Sequence, residues 1–263
     1  MYKRQVYNKE GDVVSTQTDD ITVAAGKTET ISQSVDVADP KLWSVDSPNL
    51  YWVRTEIIQN GKVVDRTDSR FGIRYIATDP NSGFYLNGVH TKLNGVCEHS
   101  DLGSLGMETY QAAVDRRIRT LKKYGVNAIR TSHNPVSPEF IEACDRLGML
   151  VFEEAFDQWL YSKNSDDYHN YFNKAADGKT VVFDKAGNDN TNNDTSYIEV
   201  KRDDLQSNAE RDIKAMVDRD KNAPCIFAWS TGNEIYDARY KHGENTLDML
   251  TGWIKEIDTT RPV

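Results

Sequence analysis

An amide and a carboxylate, Asn233 and Glu234, directly follow an apolar segment near the end of the chain. Residues 223–229 are almost entirely apolar, and small residues at 230–232 separate them from this pair. In a (β/α)8 barrel the carboxyl ends of the parallel strands face one shared cleft, where such a pair would meet a bound molecule. A carboxylate in that place could transfer a proton in catalysis. The same two residues could also form a solvated turn or a helix cap. Their position in the fold decides between this structural role and a catalytic one.

Three further segments repeat this layout, each an apolar run followed by polar residues and a helical pattern. We predict strands at residues 92–97, 126–129, 149–152 and 226–229. Their continuous apolar character is typical of parallel strands that are buried on both faces, and their alternation with helices predicts βα units. Predicted helices cover residues 109–124 and 138–147, the second with Ser137 as its N-cap and Gly148 as its end.

The polar residues that follow these predicted strands are the candidate site residues. Because the carboxyl ends of parallel strands meet at one edge of a sheet, we expect them to converge on one side of the structure. The candidates are His99, Arg130, His133, Asp157, Trp159, Asn233 and Glu234, with Glu98, Asp101, Asn134, Glu153 and Glu154 as further polar neighbours.

The first 76 residues show a different pattern of short β-branched runs separated by Gly and Asn. We predict strands at residues 13–23, 28–37, 51–58 and 63–71, and the Asn60-Gly61 pair predicts a tight hairpin. This spacing indicates an all-β sandwich over residues 1–76, followed by an α/β unit over residues 77–263. Trp43 and Tyr51 are expected in the core of the sandwich.

Composition excludes several classes of protein. The net charge is −9, with 28% charged and 38% hydrophobic residues, which is typical of a globular protein without the basic stripe of a nucleic-acid-binding surface. No stretch approaches the roughly 20 apolar residues of a membrane span. Cys97, Cys144 and Cys225 lie in or beside predicted strands and a helix, so we expect three buried thiols and no disulfide framework. Their spacing does not match a zinc site.

From about Gly83 onward the chain resembles the catalytic domain of glycoside hydrolase family 2, the family of β-galactosidases, β-glucuronidases and β-mannosidases. The matching motifs are Asn94-Gly95-Val96 with Glu98-His99, then GVNAIRTSHNP at residues 125–135, CDRLG at 144–148 and WSTGNE at 229–234. Residues 95–106 and 153–159 are most similar to bacterial β-galactosidases. Residues 39–44 and 48–51 resemble the immunoglobulin-like domain that precedes the TIM barrel in this family, and residues 71–74 resemble the junction between the two.

The resemblance implies retaining hydrolysis of terminal β-D-galactosides. In that mechanism one carboxyl group protonates the leaving oxygen, and a second, about 5 to 5.5 Å away, attacks the anomeric carbon. Glu234 matches the general acid/base of the family, a role that requires its pKa to be raised by burial and by a nearby anionic nucleophile. Asn233 matches the residue that binds the sugar 2-hydroxyl, and Arg130 matches the arginine that orients the nucleophile.

The same resemblance also implies roles for the other candidate residues. His99 and His133 resemble histidines that contact the sugar or stabilise the transition state, and Asp157 with Trp159 resembles a substrate platform in which the ring stacks on the sugar. Structural roles remain open for all of these residues. His99 and His133 could be satisfied core histidines, and Arg130 could form a salt bridge inside the barrel. The polar neighbours could be helix caps or rim ion pairs. Those neighbours are otherwise expected to support the site.

We expect no cofactor, and magnesium stays open although its family ligands are not matched. Some relatives hold magnesium with a Glu-x-His pair just after the third strand, and this chain has Gln158 and Leu160 at those positions. The expected partner is a β-galactoside or a related oligosaccharide, and the full-length enzyme could form a homo-oligomer.

Length indicates an incomplete enzyme. A (β/α)8 barrel needs about 250 residues, whereas residues 83–263 include a polar insertion at 160–205 and leave room for only four βα units. We therefore expect the first half of a barrel, an incomplete immunoglobulin-like domain, foreign sequence at residues 1–5, a nucleophilic glutamate beyond Val263, and no hydrolysis by this chain alone. The alternatives are a β-glucuronidase or β-mannosidase of the same family, and a noncatalytic carbohydrate-binding relative.

Overall fold

The computed structural model describes residues 1–159, 208–239 and 241–263. Within them, the N-terminal part is an all-β domain with strands β1 (Tyr2–Tyr7), β2 (Val13–Asp19), β3 (Tyr51–Gln59) and β4 (Lys62–Phe71). They form one antiparallel sheet in the order β2-β1-β3-β4. Asn60 and Gly61 both have positive φ, at 51° and 73°, so the predicted β3–β4 hairpin is confirmed.

Two local predictions for this domain are wrong. The strand expected at residues 28–37 does not form, since these residues are mostly exposed and offer no buried face to hold a strand. The strand expected at residues 13–23 ends at Asp19. Residues 1–5, expected to be foreign, lie largely in β1, which pairs with both β2 and β3. Trp43 and Tyr51 are core residues as predicted, 0% and 4% exposed.

A small antiparallel sheet follows the all-β domain and was not predicted separately. Its strands are β5 (Ile76–Asp79), β6 (Gly83–Leu86) and β7 (Val89–His90), in the order β5-β6-β7. Phe84 of this sheet is buried and its ring meets Phe227 edge-on, with centroids 5.3 Å apart. Because Phe227 lies near the amino end of a barrel strand, the small sheet packs against that end of the barrel.

The C-terminal part is the parallel α/β unit of a TIM barrel, with half of its eight strands in the described residues. The strands are β8 (Gly95–His99), β9 (Ala128–Ser132), β10 (Leu150–Glu154) and β11 (Ile226–Ser230), in the order β11-β10-β9-β8. The helices are α1 (Gln111–Lys123), α2 (Pro138–Leu147), α3 (Asn208–Asp220) and α4 (Lys241–Lys255). The predicted fold class, an immunoglobulin-like domain before an α/β barrel, is confirmed.

Helix α2 shows how closely local signals set these elements. The Ser137 hydroxyl accepts a hydrogen bond from the Phe140 amide at 3.3 Å, Pro138 opens the first turn, and Gly148 ends the helix with φ 75°. Its buried face carries Cys144, which packs with Cys225 in the layer between sheet and helices. All three cysteines are free thiols, but Cys97 is exposed, so the prediction of three buried thiols is wrong for that residue. Cys97 faces the barrel interior and not the helix layer.

No helix in the described ranges is both long and apolar enough to cross a lipid bilayer.

Candidate active site

The carboxyl ends of the four barrel strands bring the predicted polar residues to one edge of the sheet. Arg130 on β9 is in register with Cys97 on β8 and with Phe152 on β10, and Glu154 is in register with Ser230 on β11. Because side chains alternate along a strand, these residues and their neighbours two positions on share the interior face of the barrel. The sheet therefore places Arg130, Glu154 and Ser230 together.

Glu154 is the centre of this arrangement. Its side chain is completely buried, and its Oε2 accepts hydrogen bonds from Arg130 Nε at 3.0 Å, Arg130 Nη2 at 2.7 Å and Ser230 Oγ at 2.7 Å. Its other oxygen, Oε1, lies 2.7 Å from His133 Nδ1. A buried carboxylate is costly unless it is paired and hydrogen-bonded, and both oxygens of Glu154 meet that requirement.

Arg130 stays charged in this setting. Burial alone would lower the pKa of the guanidinium, but the ion pair with Glu154 raises it overall. Its Nη2 also donates to Asn233 Oδ1 at 2.8 Å, which joins β9 to the loop after β11. Its Nη1 has a weak contact at 3.9 Å with the Cys97 thiol, on the interior face.

The two histidines lie beside each other at the same edge. The rings of His99 and His133 are perpendicular, with centroids 5.2 Å apart. Glu154 Oε1 contacts Nδ1 of His133, which leaves Nε2 as the nitrogen that can face a ligand. The His133 side chain is 23% exposed and is held by the buried Glu154 carboxylate, a contact that suits a satisfied structural histidine as well as a sugar-contacting one.

Asn233 is held from both sides by residues at the edge. Its amide oxygen accepts from Arg130, and its Nδ2 donates to Asp157 Oδ1 at 2.9 Å. The Asn233 backbone amide donates to Phe156 O at 3.1 Å, so the loop after β11 is tied to the loop after β10. Asn233 is buried to 7% exposure.

Glu234 follows Asn233 in a left-handed backbone conformation, with φ 44°. Its side chain is exposed, so the burial that we expected around this carboxyl group is absent. Glu234 is therefore an exposed carboxyl group directly beside the buried Asn233.

Trp159 does not provide the stacking surface that the sequence suggested. It is only 3% exposed, and its indole N–H donates to Thr231 O at 2.9 Å. Stacking on a sugar requires an exposed ring face, which Trp159 does not offer in this structure, and its role at the substrate stays a prediction. Trp159 instead supports the β11 loop from below, and Asp157 remains exposed beside Asn233.

Of the five polar neighbours, only Glu154 joins the cluster. Glu98 points outward and pairs with Arg117 on α1 at 2.9 Å, and burial raises its pKa. Asp101 accepts from the Gly103 amide at 2.6 Å at the start of a 3₁₀ turn, and exposed Asn134 bonds to Pro135 O at 3.0 Å. These contacts match the structural readings of rim ion pair and cap.

Glu153 lies on the opposite face of β10, behind the site. It is completely buried, and its Oε1 is 3.2 Å from Arg219 Nη2 on α3. Burial and the neighbouring Asp220 carboxylate raise the pKa of Glu153 well above its usual range, although Arg219 opposes them. Glu153 and Glu154 thus lie buried on opposite faces of β10, each paired with a different arginine.

The described residues include no group of three or more His, Cys, Asp and Glu side chains arranged to hold a metal ion. At the position where relatives hold magnesium, Gln158 is buried and Leu160 lies outside the described residues. An amide and an aliphatic side chain do not supply the carboxylate and imidazole ligands of that site.

Two residues of the cluster were missed by the sequence reasoning. Ser230 donates to Glu154, and Thr131 Oγ1 accepts from the Glu154 amide at 2.8 Å. Alternation along β11 places Ser230 beside the Glu154 carboxylate, whereas Thr131, adjacent to Arg130 on β9, alternates to the other face and bonds the Glu154 backbone.

Comparison with known proteins shows the family of this chain. The family model for "Glycosyl hydrolases family 2, TIM barrel domain" matches residues 78–263, and that for "Glycosyl hydrolases family 2" matches residues 2–74. The β-galactosidase BoGH2A from Bacteroides ovatus is 34% identical over 270 residues, covering 91% of this chain and 28% of that protein.

Solved structures give the same result. A glycosyl hydrolase family 2 member from Bacteroides cellulosilyticus matches with a TM-score of 0.82 and 35% identity, over 99% of this chain and 29% of that one. A β-glucuronidase from Bacteroides uniformis matches with a TM-score of 0.74 and 26% identity, over 99% of this chain and 28% of that one. The chain therefore spans only 28–29% of the length of these relatives.

Proposed function

Because this chain belongs to glycosyl hydrolases family 2, we propose that it supplies the acid/base side of the active site of a retaining glycosidase that cleaves terminal β-D-galactosides. Glu234 is the general acid in the first step and the general base in the second. The observation that carries this proposal is the double anchoring of Asn233 by Arg130 and Asp157, which fixes the loop that presents Glu234.

Asn233 binds the sugar in this proposal. An amide nitrogen has two hydrogens, and one of those on Nδ2 is already donated to Asp157. The second can donate to the sugar 2-hydroxyl, a contact that strengthens as charge develops at the anomeric carbon. Since both ends of the amide are fixed before substrate binds, its orientation costs little at the transition state.

The nucleophile is assigned to a glutamate that is not among the residues of this chain, as the family resemblance implies. Glu154 does not suit that role, because it is fully buried and both of its oxygens are already hydrogen-bonded. Within the described part of the chain, Arg130 Nη1 makes a weak contact at 3.9 Å with the Cys97 thiol, so it is placed to orient a carboxylate entering the barrel interior.

The charge at this edge favours a neutral sugar. Among the described residues, the arginine of the cluster, Arg130, is already paired with Glu154. A glucuronide carries a carboxylate that would need its own cation and would face the exposed Asp157 and Glu234. A β-glucuronidase remains the second candidate, because one of the matching structures is an enzyme of that name.

A panel of nitrophenyl β-glycosides tested on the full-length enzyme decides between these candidates. We expect kcat/KM for the β-galactoside to exceed the values for the β-glucuronide and β-mannoside by about 10²-fold or more, since an unpaired charge or a misplaced hydroxyl leaves polar groups unsatisfied. A faster β-glucuronide would move the assignment to the second candidate. Binding of galactosides without hydrolysis of any glycoside would identify a noncatalytic carbohydrate-binding protein.

A further inference from the structure

Three contacts from the all-β domain and its junction converge on residues 224–226, where β11 begins. They involve Gly72, Arg74 and, through Asp145, Arg70. We call residues 70–74 the junction clamp and residues 224–226 the β11 lead-in. Strand β11 is the one that carries Asn233 and Glu234 after its carboxyl end.

The first contact is a close approach at Gly72. A Cβ atom built on this glycine would lie 2.6 Å from Pro224 Cγ and 2.7 Å from Pro224 Cβ, nearer than side-chain atoms normally pack. Its φ lies outside the left-handed region, so the backbone itself would accept alanine. The absence of a side chain at Gly72 therefore sets how close the β11 lead-in comes to the junction.

The second contact is made by Arg74. Its Nε donates to Pro224 O and its Nη2 donates to Ile226 O, so a single guanidinium spans the β11 lead-in. Burial lowers the pKa of Arg74 to about 10, and the nearby charge of Arg261 acts in the same direction, yet it stays charged at neutral pH. Hydrogen bonds from a charged donor to backbone carbonyls are stronger than neutral ones.

The third contact passes through Asp145 on helix α2. Arg70 Nη2 lies 3.0 Å from Asp145 Oδ2, while Asp145 Oδ1 accepts from the Cys225 amide at 3.0 Å. The Asp145 backbone oxygen also accepts from the buried Trp43 indole at 2.8 Å. Asp145 is 1% exposed, so this link from the all-β domain to Cys225 is shielded from water.

The pairing of β10 with β11 contains an irregularity next to the junction clamp. Val151 pairs with Ile226 and Phe152 with Ala228, so the register shifts by one residue directly after the β11 lead-in. A one-residue slip would turn each side chain of β11 to the other face of the sheet. The junction clamp adds a constraint at the start of β11 that disfavours such a slip.

We propose that the junction clamp positions the general acid, by fixing how far β11 extends toward the carboxyl edge of the barrel. The all-β domain then contributes to catalysis through residues 70–74 as well as to folding. This inference rests on the proposed role of Glu234. It identifies Gly72 and Arg74 as positioning residues, since neither is at the carboxyl edge of the barrel.

Gly72→Ala in the full-length enzyme tests the proposal, with Gly95→Ala as the matched control. A Cβ at Gly95 would meet its nearest atom at an ordinary 3.5 Å. The readout is kcat/KM for a disaccharide such as lactose, whose leaving group needs a proton, against that for a dinitrophenyl glycoside of the same sugar, whose leaving group does not. We expect Gly72→Ala to lower the disaccharide value by about 10-fold or more, because a displaced acid loses its alignment. The dinitrophenyl value should change less than about 3-fold, and Gly95→Ala should change neither.

The remaining outcomes are also decisive. Equal losses on both substrates, or none, in a folded Gly72→Ala enzyme would overturn the positioning role. If Gly72→Ala does not fold, Arg74→Lys makes the same comparison, because lysine keeps the charge but cannot span both carbonyls. Glu234→Gln serves as the reference. If the loss of kcat/KM in that variant does not depend on the leaving group, the proposed function fails. If the loss depends on the leaving group in Glu234→Gln but not in the clamp variants, only the positioning role of the junction clamp is overturned.

Discussion

Arg130 and Glu154 meet through a single carboxylate oxygen. The guanidinium Nε and Nη2 lie 3.0 and 2.7 Å from Oε2, and the opposite oxygen of the same carboxylate holds His133. One completely buried side chain therefore orients two residues of the candidate site. A further Arg130 contact, from Nη2 to Asn233 Oδ1, extends the same network to the loop that carries Glu234.

Replacement of Glu154 by glutamine should lower both activity and stability. The variant keeps the size of the side chain but leaves Arg130 without its anion, and breaking a buried pair in this way costs about 3 kcal/mol or more. Misorientation of Arg130 and His133 should lower kcat/KM by about 10²-fold. Urea unfolding and steady-state kinetics measure the two effects.

Glu98→Gln is the matched control for that prediction. It removes the charge from a glutamate paired with Arg117 on the outward face of the sheet. We expect little loss of activity, because this pair does not touch the interior cluster. An equal loss of kcat/KM in the two variants would show that Glu154 has no special part in the site.

Glu153→Gln should remove a pH dependence of stability. Burial and Asp220 raise the pKa of Glu153, so the folded protein keeps a proton that the unfolded chain releases above the usual glutamate pKa of about 4.3. The folded state then binds more protons, and its stability falls as pH rises through this window. Glutamine imitates the neutral acid, so its variant should show a flatter profile by urea unfolding between about pH 5 and pH 8.

Exposed Glu10, which pairs loosely with Lys41 at 3.7 Å, gives the control substitution, and Glu10→Gln should leave the profile unchanged. If Glu153→Gln were less stable than the parent protein across the whole range, Glu153 would act as an anion paired with Arg219.

Gly148→Ala should destabilise the protein more than Gly125→Ala does. Both glycines have positive φ, 75° and 83°, which costs alanine about 1 kcal/mol. At Gly148 the added Cβ would also overlap the Val45 carbonyl oxygen of the all-β domain, whereas at Gly125 nothing lies within 4 Å. We expect a total cost of about 2 kcal/mol or more at Gly148 by urea unfolding. Equal costs would mean that Val45 moves away freely.

The barrel elements could be predicted because their signals are local. Ser137, Pro138 and Gly148 define α2 within one segment, and the apolar runs define the strands to within a few residues. The strand expected at residues 28–37 failed because β-branched residues favour a strand only where one face can be buried. Exposure of these residues depends on tertiary packing, which a short window of sequence does not contain.

The sequence predicts which residues lie at the site better than it predicts which of them contact one another. Strand ends pointed to His99, Arg130, His133, Asp157 and Asn233, and the structure places them at one edge. That Glu154 and not Glu153 joins the cluster depends on which face of β10 meets Arg130. The buried position of Trp159 depends in turn on its packing and on its hydrogen bond to the β11 loop. Both follow from pairing between segments far apart in sequence.

The central claim is that Glu234 transfers the proton, and its substitution by glutamine in the full-length enzyme tests this most directly. General acid catalysis is worth about 10²- to 10⁴-fold where the leaving group needs a proton. We therefore expect kcat/KM for lactose to fall by that factor while the value for a dinitrophenyl galactoside changes little.

The second step provides the decisive measurement, which is the turnover of the dinitrophenyl galactoside by Glu234→Gln with and without azide. Without its base the enzyme should accumulate the covalent glycosyl intermediate, and azide, which attacks without losing a proton, should restore turnover and yield a β-galactosyl azide. Equal losses on lactose and the dinitrophenyl galactoside, with no rescue by azide in a variant shown to be folded, would contradict the assignment of Glu234 as acid and base.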